Sequence, residues 1–410
     1  KMGGLPKHLS IYEIGFADIG EFTGDRRLSV RHGDLNAIEL DCEFLHDGIP
    51  RRTMQADLPD TSRPERRPVD VEPQDALLRL LAHPTIASSE SIVRSYDHEV
   101  MGGTTVRPYE GVEADGPSDG TVTRPIGTSG EKGIVLGIGV NALFGRLDAY
   151  RMARSVIDEA VRNVVAAGAN PDRIAILDNF SWGDPTRPEN LGTLVEAARG
   201  CYDGALSYLS PFISGKDSLY NEFVAPDGSR KPIPPTLVIS ALAMIDDVHD
   251  AVTTDLKRVG DHVFLLGETR DELGGSHLDD VLGVDSGGAV PGPVDGALDQ
   301  YRRLHSAMSE GLIAACHDLS EGGLGVAAAE MCVGGRLGMN LRIQGDAIIE
   351  LFIESNARFL VEVHPDDLER FDSFGLIARD LGVVAAEQRL VIDGGQWLVD
   401  LGIEQFVAQR

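Results

Sequence analysis

At 410 residues the chain is long enough for two or three domains with their own cores, and a hydrophobic share of 42% is ordinary for a globular protein. A net charge of −28 repels nucleic acid and anionic lipid, so neither nucleic acid nor membrane is an expected partner. No apolar run approaches the roughly 20 residues that span a bilayer, and no signal-peptide pattern is visible. Four scattered cysteines (Cys42, Cys201, Cys316, Cys332) lack metal-ligand spacing and predict reduced thiols in a cytoplasmic protein. Lysine stands only at positions 1, 7, 132, 216, 231 and 257, which fits either a salt-adapted source or a genome that favours arginine.

In chain order, residues 10–45 predict a β-meander, with strands over 12–21, 28–31 and 37–44 and turns at Thr23-Gly24-Asp25 and Gly33-Asp34. Three strands alone make a poor domain. The string Arg27-Leu28-Ser29-Val30-Arg31-His32-Gly33 matches Arg389-Leu390-Val391-Ile392-Asp393-Gly394-Gly395 near the other end, which points to an internal repeat. Residues 46–74, punctuated by Pro50, Pro59, Pro64, Pro68 and Pro73, form a linker without periodicity. A short amphipathic helix over 74–82, loops over 101–132 and a strand over 133–140 follow. The clearest helix runs from Asp148 to Ala167, with Gly168 suited to its end; Glu159 and Asn163 share one of its faces, read as a solvated polar stripe at Glu159. A strand over 173–178 ends in Asp178-Asn179, and a helix from Pro188 to Leu209 feeds the stretch that carries the chemistry.

That stretch is Ser210 to Phe223. Pro211 to Ile213 reads as a buried strand, and Ser214-Gly215 breaks it. Glycine permits close approach of backbone N–H groups to a ligand, lysine is a point-charge partner for phosphate, and serine adds a donor. It is not a P-loop, because Ser210 and Asp217 stand where that motif needs glycine and Ser/Thr. An ordinary polar turn is the plainer alternative. After a strand over 236–245, a second domain begins near Leu256. In it a strand ends in Cys316-His317-Asp318, and Ser320 with Gly322-Gly323 opens a helix, a geometry suited to anions. Strands alternating with helices give an α/β (α+β) class.

Asp178-Asn179, followed by Ser214-Gly215-Lys216-Asp217-Ser218-Leu219-Tyr220-Asn221-Glu222, resembles phosphoribosylformylglycinamidine synthase, an amidotransferase family of purine biosynthesis. Pro84-Thr85-Ile86-Ala87-Ser88, Tyr96-Asp97, Glu159-Ala160-Val161-Arg162-Asn163 and Leu266-Gly267-Glu268-Thr269 resemble the same family, so the likeness runs from about residue 74 to the end. It implies the second half of a duplicated A1-B1-A2-B2 synthase. Residues 1–45 would be the tail of the first B domain, 46–74 a linker, 75–253 a barrel-forming A domain of mixed sheet, and 254–410 a second B domain of α/β type. By resemblance Asp178, Gly215 and Lys216 contact ATP and Ser218 the substrate. Relatives often carry a metal-ligating asparagine where Lys216 stands; an ammonium cannot ligate Mg2+, so that role passes to Asp217 or vanishes. An acidic residue common before Asn141 is also replaced here. His317, Asp318 and Glu354 line an auxiliary nucleotide site or are structural relics. No catalytic residue is expected in this stretch, because the family's catalytic histidines lie in the first A domain. The implied partners are a glutaminase subunit that supplies ammonia, a small accessory subunit, the missing N-terminal half, and a second copy through the A domain. Two alternatives stay open: another ATP-using superfamily member, such as aminoimidazole ribonucleotide or selenophosphate synthetase, or a non-catalytic nucleotide-binding lobe.

Overall fold

The computed structural model describes Gly15, residues 17–96 and residues 98–410. The chain divides into two compact units, Lys1–Met54 and Gln55–Arg410. Among the described residues no helix is long and apolar enough to cross a membrane.

In the first unit β1 (Arg27–His32) and β2 (Leu35–Asp41) pair antiparallel across a turn in which Gly33 takes φ +57°, and α1 (Cys42–Asp47) follows. The strand expected over 12–21 falls partly outside the described residues, and 17–21 form no strand. The third expected strand stops at Asp41, because Cys42 begins a helical turn.

The second unit opens on an extended strap, residues 55–72, which has no regular secondary structure but is tied down along its length. Asp57 N–H donates to the Pro188 carbonyl (2.9 Å), Arg67 N–H to that of Ser286 (2.8 Å), and Arg66 pairs with Asp271 (2.6 Å). The strap leads into α2 (Pro73–Leu81), whose apolar face is buried.

The first sheet contains β3 (Thr104–Val106), β4 (Gly120–Thr123), β5 (Gly133–Val140), β6 (Ile174–Ser181), β7 (Phe212–Ser218) and β8 (Thr236–Ile245), in spatial order β3-β4-β5-β8-β6-β7. Along β8 every second side chain is buried, the period of a sheet covered on one side. The cover is α3 (Ala149–Ala166) with α4 (Pro188–Tyr208). A Cβ at Gly139 of β5 would clash with the Val156 carbonyl of α3, so only glycine lets helix and strand approach this closely. The opposite face carries Leu136 and Ile138, each about half exposed, in register with Leu242 and Ser240 of β8. The sheet is open, and β7 is its edge. The strand expected to break at Ser214-Gly215 runs on to Ser218 and is exposed, because no strand flanks its outer side.

The second sheet orders β9 (His262–Leu266), β10 (Ile313–Asp318), β11 (Gly338–Arg342), β12 (Phe359–Val363), β13 (Ala378–Ala385), β14 (Arg389–Asp393) and β15 (Leu398–Gly402) as β10-β12-β9-β13-β11-β14-β15. Helices α5 (His277–Leu282), α6 (Ala297–Ser309), α7 (Gly323–Gly335) and α8 (Ile403–Gln409) accompany it. One core joins α3 and the first sheet to Tyr301 and Leu304 of α6; a second packs α2, α7 and α8 on the other side. The strings matched at the two ends share an element order, strand–strand–helix, and a pairing: Leu28 opposite Leu40, and Leu390 opposite Leu401. Arg27 bonds Glu39 as Arg389 bonds Asp400. The burial differs: Leu390, Ile392 and Val399 are 0% exposed, whereas Leu28, Val30 and Ile38 are 38–41% exposed.

Candidate functional site

The parallel pair β6–β7 sets Asp178 beside Gly215, Asn179 beside Lys216, Phe180 beside Asp217 and Ser181 beside Ser218. Paired residues in a parallel ladder face the same way, so the candidates split between two sides of the edge. Asp178, Gly215 and Asp217 lie on the helix-covered side with buried Phe180; Lys216 and Ser218 lie on the open side. The family resemblance assigns Asp178, Gly215 and Lys216 to ATP and Ser218 to substrate, and strand alternation divides these residues between the two sides.

On the covered side the Asp178 carboxylate fills the space a side chain at 215 would take: a Cβ there would sit 2.5 and 2.6 Å from its oxygens. Partial burial raises the Asp178 pKa, the Lys216 backbone N–H pulls it down, and the Asp217 charge adds to the rise. Two carboxylates that repel each other beside a backbone donor form an oxygen-rich edge that suits Mg2+. On the open side the Lys216 ammonium hydrogen-bonds Ser218 Oγ, a cation and a hydroxyl placed for a phosphate or another anion.

The turn beyond is anchored by buried Trp182. Its N–H donates to the Ser218 carbonyl (2.8 Å), its carbonyl accepts from Asn221 N–H (2.9 Å), and its indole donates to Thr193 Oγ1 (2.9 Å). Glu222 accepts from Asp184 N–H (3.2 Å), with Arg230 3.6 Å and Arg187 3.7 Å away. Asp184 and Arg187 lie more than thirty residues before Glu222, so the sequence carries no local signal for those two contacts, whereas Arg230 belongs to the same hairpin.

A second cluster lies where α3 meets the second sheet. A cavity of about 250 Å³ is lined by Asp119, Glu159, Asn163, His317, Asp318 and Glu321, among others. His317 Nδ1 lies 2.7 Å from Asp119 and Nε2 3.1 Å from Glu330. Burial opposes charge on this ring, yet Asp119 and Glu330 hold its pKa well above the usual histidine range. Asp119, His317 and Asp318 place ligating atoms within 4.8 Å of one another. With both ring nitrogens engaged by carboxylates, His317 acts as their charge partner rather than as a metal ligand. Arg162 Nε donates to Asp318 (3.1 Å), and the same guanidinium pairs with Asp158 and reaches the Leu319 carbonyl (3.2 Å), so it ties α3 to the second sheet.

Glu159, expected on a solvated stripe, instead accepts from Val140 N–H (3.0 Å) and faces the cavity. Burial raises its pKa well above the usual carboxylate range, helped by Glu321 and Asp318 and opposed by Arg162. The face of α3 that carries Glu159 is covered by the second sheet, which helical periodicity cannot reveal. Asn163 donates to the Ile138 carbonyl (2.8 Å), while its buried Oδ1 has no hydrogen-bond partner among the described residues. Glu159, Asn163 and Asp318 line the same cavity and make its wall rich in oxygen. Glu354 is placed behind them: its carboxylate accepts from His277 N–H and Gly322 N–H (both 2.9 Å) and pins the starts of two helices.

The N-terminal domain of AIR synthase related proteins matches residues 118–245, and their C-terminal domain matches residues 258–395. The phosphoribosylformylglycinamidine synthase subunit PurL of Thermococcus sibiricus is 31% identical over 398 residues, covering 94% of this chain and 52% of the relative. That of Rhodopseudomonas palustris is 33% identical over 400 residues, covering 93% and 51%. The chain thus spans about half the length of the curated relatives it matches. Among solved structures, T. maritima PurL complexed with FGAR superposes with a TM-score of 0.60 at 15% identity, over 82% of this chain and 54% of that one. The two domain matches, the end-to-end identity to these relatives and the shared fold show that this chain belongs to the AIR synthase related family.

Proposed function

We propose that the chain is the C-terminal half of an ATP-dependent phosphoribosylformylglycinamidine synthase, which converts formylglycinamide ribonucleotide and ammonia to formylglycinamidine ribonucleotide. The carrying observation is identity above 30% to proteins of that name across nearly the whole chain, joined to an edge site with the polarity this chemistry needs. ATP phosphorylates the formamide oxygen, and ammonia then displaces phosphate to leave the amidine. Phosphoryl transfer rests on positioning and on charge neutralised by Mg2+. Lys216 and Ser218 would hold phosphate or substrate oxygens on the open side. Asp178 and Asp217 would take the Mg2+, whose charge offsets their repulsion. The cavity with Glu159, Asn163 and Asp318 would hold a second nucleotide through its metal. Ammonia would come from a glutaminase subunit, with an accessory subunit in the same cytoplasmic complex.

The exposed apolar hairpin β1–β2 supports reading residues 1–45 as the tail of a first B domain, since its matched copy is buried against β11. The apolar face with Leu136 and Ile138 would pair with another A domain, within the whole protein or in a second copy. Residues 1–410 alone would bind Mg-ATP in the millimolar range, about 4 kcal/mol, and would not turn over. The test is to incubate the chain with Mg-ATP, formylglycinamide ribonucleotide and ammonia while Mg-ATP binding is titrated. No amidine is expected, and weak binding is expected to be lost in Asp178→Ala and Lys216→Ala. Steady amidine formation above a no-protein blank, or binding unchanged in both variants, would overturn the reading.

A further inference from the structure

We propose that Tyr220 is a stacking platform for the planar base of the nucleotide held at the β6–β7 edge, an inference that rests on the ATP site proposed above. Tyr220 takes φ +76°, a left-handed conformation that glycine or asparagine adopts at less cost and that is an outlier for a bulky aromatic. The surrounding turn imposes this backbone. Trp182 binds Ser218 and Asn221 on either side, and Ile233 N–H donates to the Asn221 carbonyl (3.0 Å). What the turn does not impose is a tyrosine.

The ring contributes little to packing. Leu219 packs against the core, whereas Tyr220 is 57% exposed. The position is where α/β sheets gather ligands, beyond the carboxyl ends of two parallel strands, two residues after Ser218 and four after Lys216. A flat ring held on a defined turn and open on its faces is how proteins stack bases without reading their sequence. Backbone strain retained for an exposed aromatic is the pattern of a functional outlier.

The test separates base from phosphate by titrating the chain with Mg-ATP and with Mg-tripolyphosphate under ligand-observed NMR, alongside thermal melts. Tyr220→Gly should raise the melting temperature, because strain is relieved, and weaken Mg-ATP about tenfold, while tripolyphosphate binding stays unchanged. Tyr220→Phe, which keeps the ring, should stay within about twofold of the parent for Mg-ATP. Unchanged Mg-ATP affinity in Tyr220→Gly, or equal losses for both ligands, overturns the inference. Asp178→Ala marks which reading failed: if it abolishes Mg-ATP binding while Tyr220→Gly does not, stacking alone is wrong. If neither variant has an effect, the edge site itself is wrong.

Discussion

Gly215→Ala tests the edge geometry directly. The added Cβ would lie 2.5, 2.6 and 2.8 Å from Oδ1, Oδ2 and Cγ of Asp178, well inside any real carbon contact. Gly215 is not among the positive-φ glycines, so the backbone itself accepts alanine. The nearest atoms all belong to one short side chain, and the collision with it costs about 1–3 kcal/mol by the usual measure of overpacking. Asp178→Ala removes the atoms that collide. In that background Gly215→Ala should cost nothing and can stabilise by about 0.4–1 kcal/mol, since alanine lowers the entropy of the unfolded chain. Urea denaturation of the four proteins yields the coupling, which should be about 1–3 kcal/mol and should reverse the sign of the Gly215 effect. Equal costs in both backgrounds would refute the contact, and with it the claim that Gly215 is required because Asp178 lies beneath it.

Stability should fall as pH rises through the range set by His277. Although burial opposes its charge, Glu354 raises its pKa from 6.5 to about 9, so the folded state keeps a proton that the unfolded state releases. The contribution is full below about 6.5 and lost as pH passes 9, at most about 3 kcal/mol; His277→Gln should flatten that slope in melts at stepped pH. At a net charge of −28, melting temperature should also climb from low to molar salt as the Debye length shrinks to about 3 Å; a flat response would leave codon bias as the cause of the composition.

Much of the framework is legible in the sequence because it is periodic. The spacing of Met152, Val156, Val161 and Val164 marks α3, and Pro188 marks the first turn of α4. The motif from Ser214 to Ser218 can also be found, since glycine, lysine and serine are unusual company for a strand. Its handedness cannot, because whether Asp178 and Lys216 share a side depends on pairing register. A bulge at Ile213, skipped between the Ile176–Phe212 and Leu177–Ser214 pairs, shifts that register by one residue. The partners of His317 are harder still: Asp119 lies 198 residues away, and nothing local to either residue announces the other.

Arg162 has a consequence for how the molecule opens. Its guanidinium sits between Asp158 of α3 and Asp318 of β10, and Tyr208 and Tyr301 both donate to Asp158, so α3 supplies the counter-charge of Asp318 while α6 supplies a hydroxyl to Asp158. Separating the layers would leave the Arg162–Asp158 pair together on α3 but take Arg162 from Asp318 and the Tyr301 hydroxyl from Asp158, and stripping the buried Asp318 of its arginine costs several kcal/mol. The two sheets therefore belong to a single foldon. Amides of β8 and β12, one from each sheet, should exchange with solvent only through the same global opening, so breathing between the layers offers a ligand no route to the cavity.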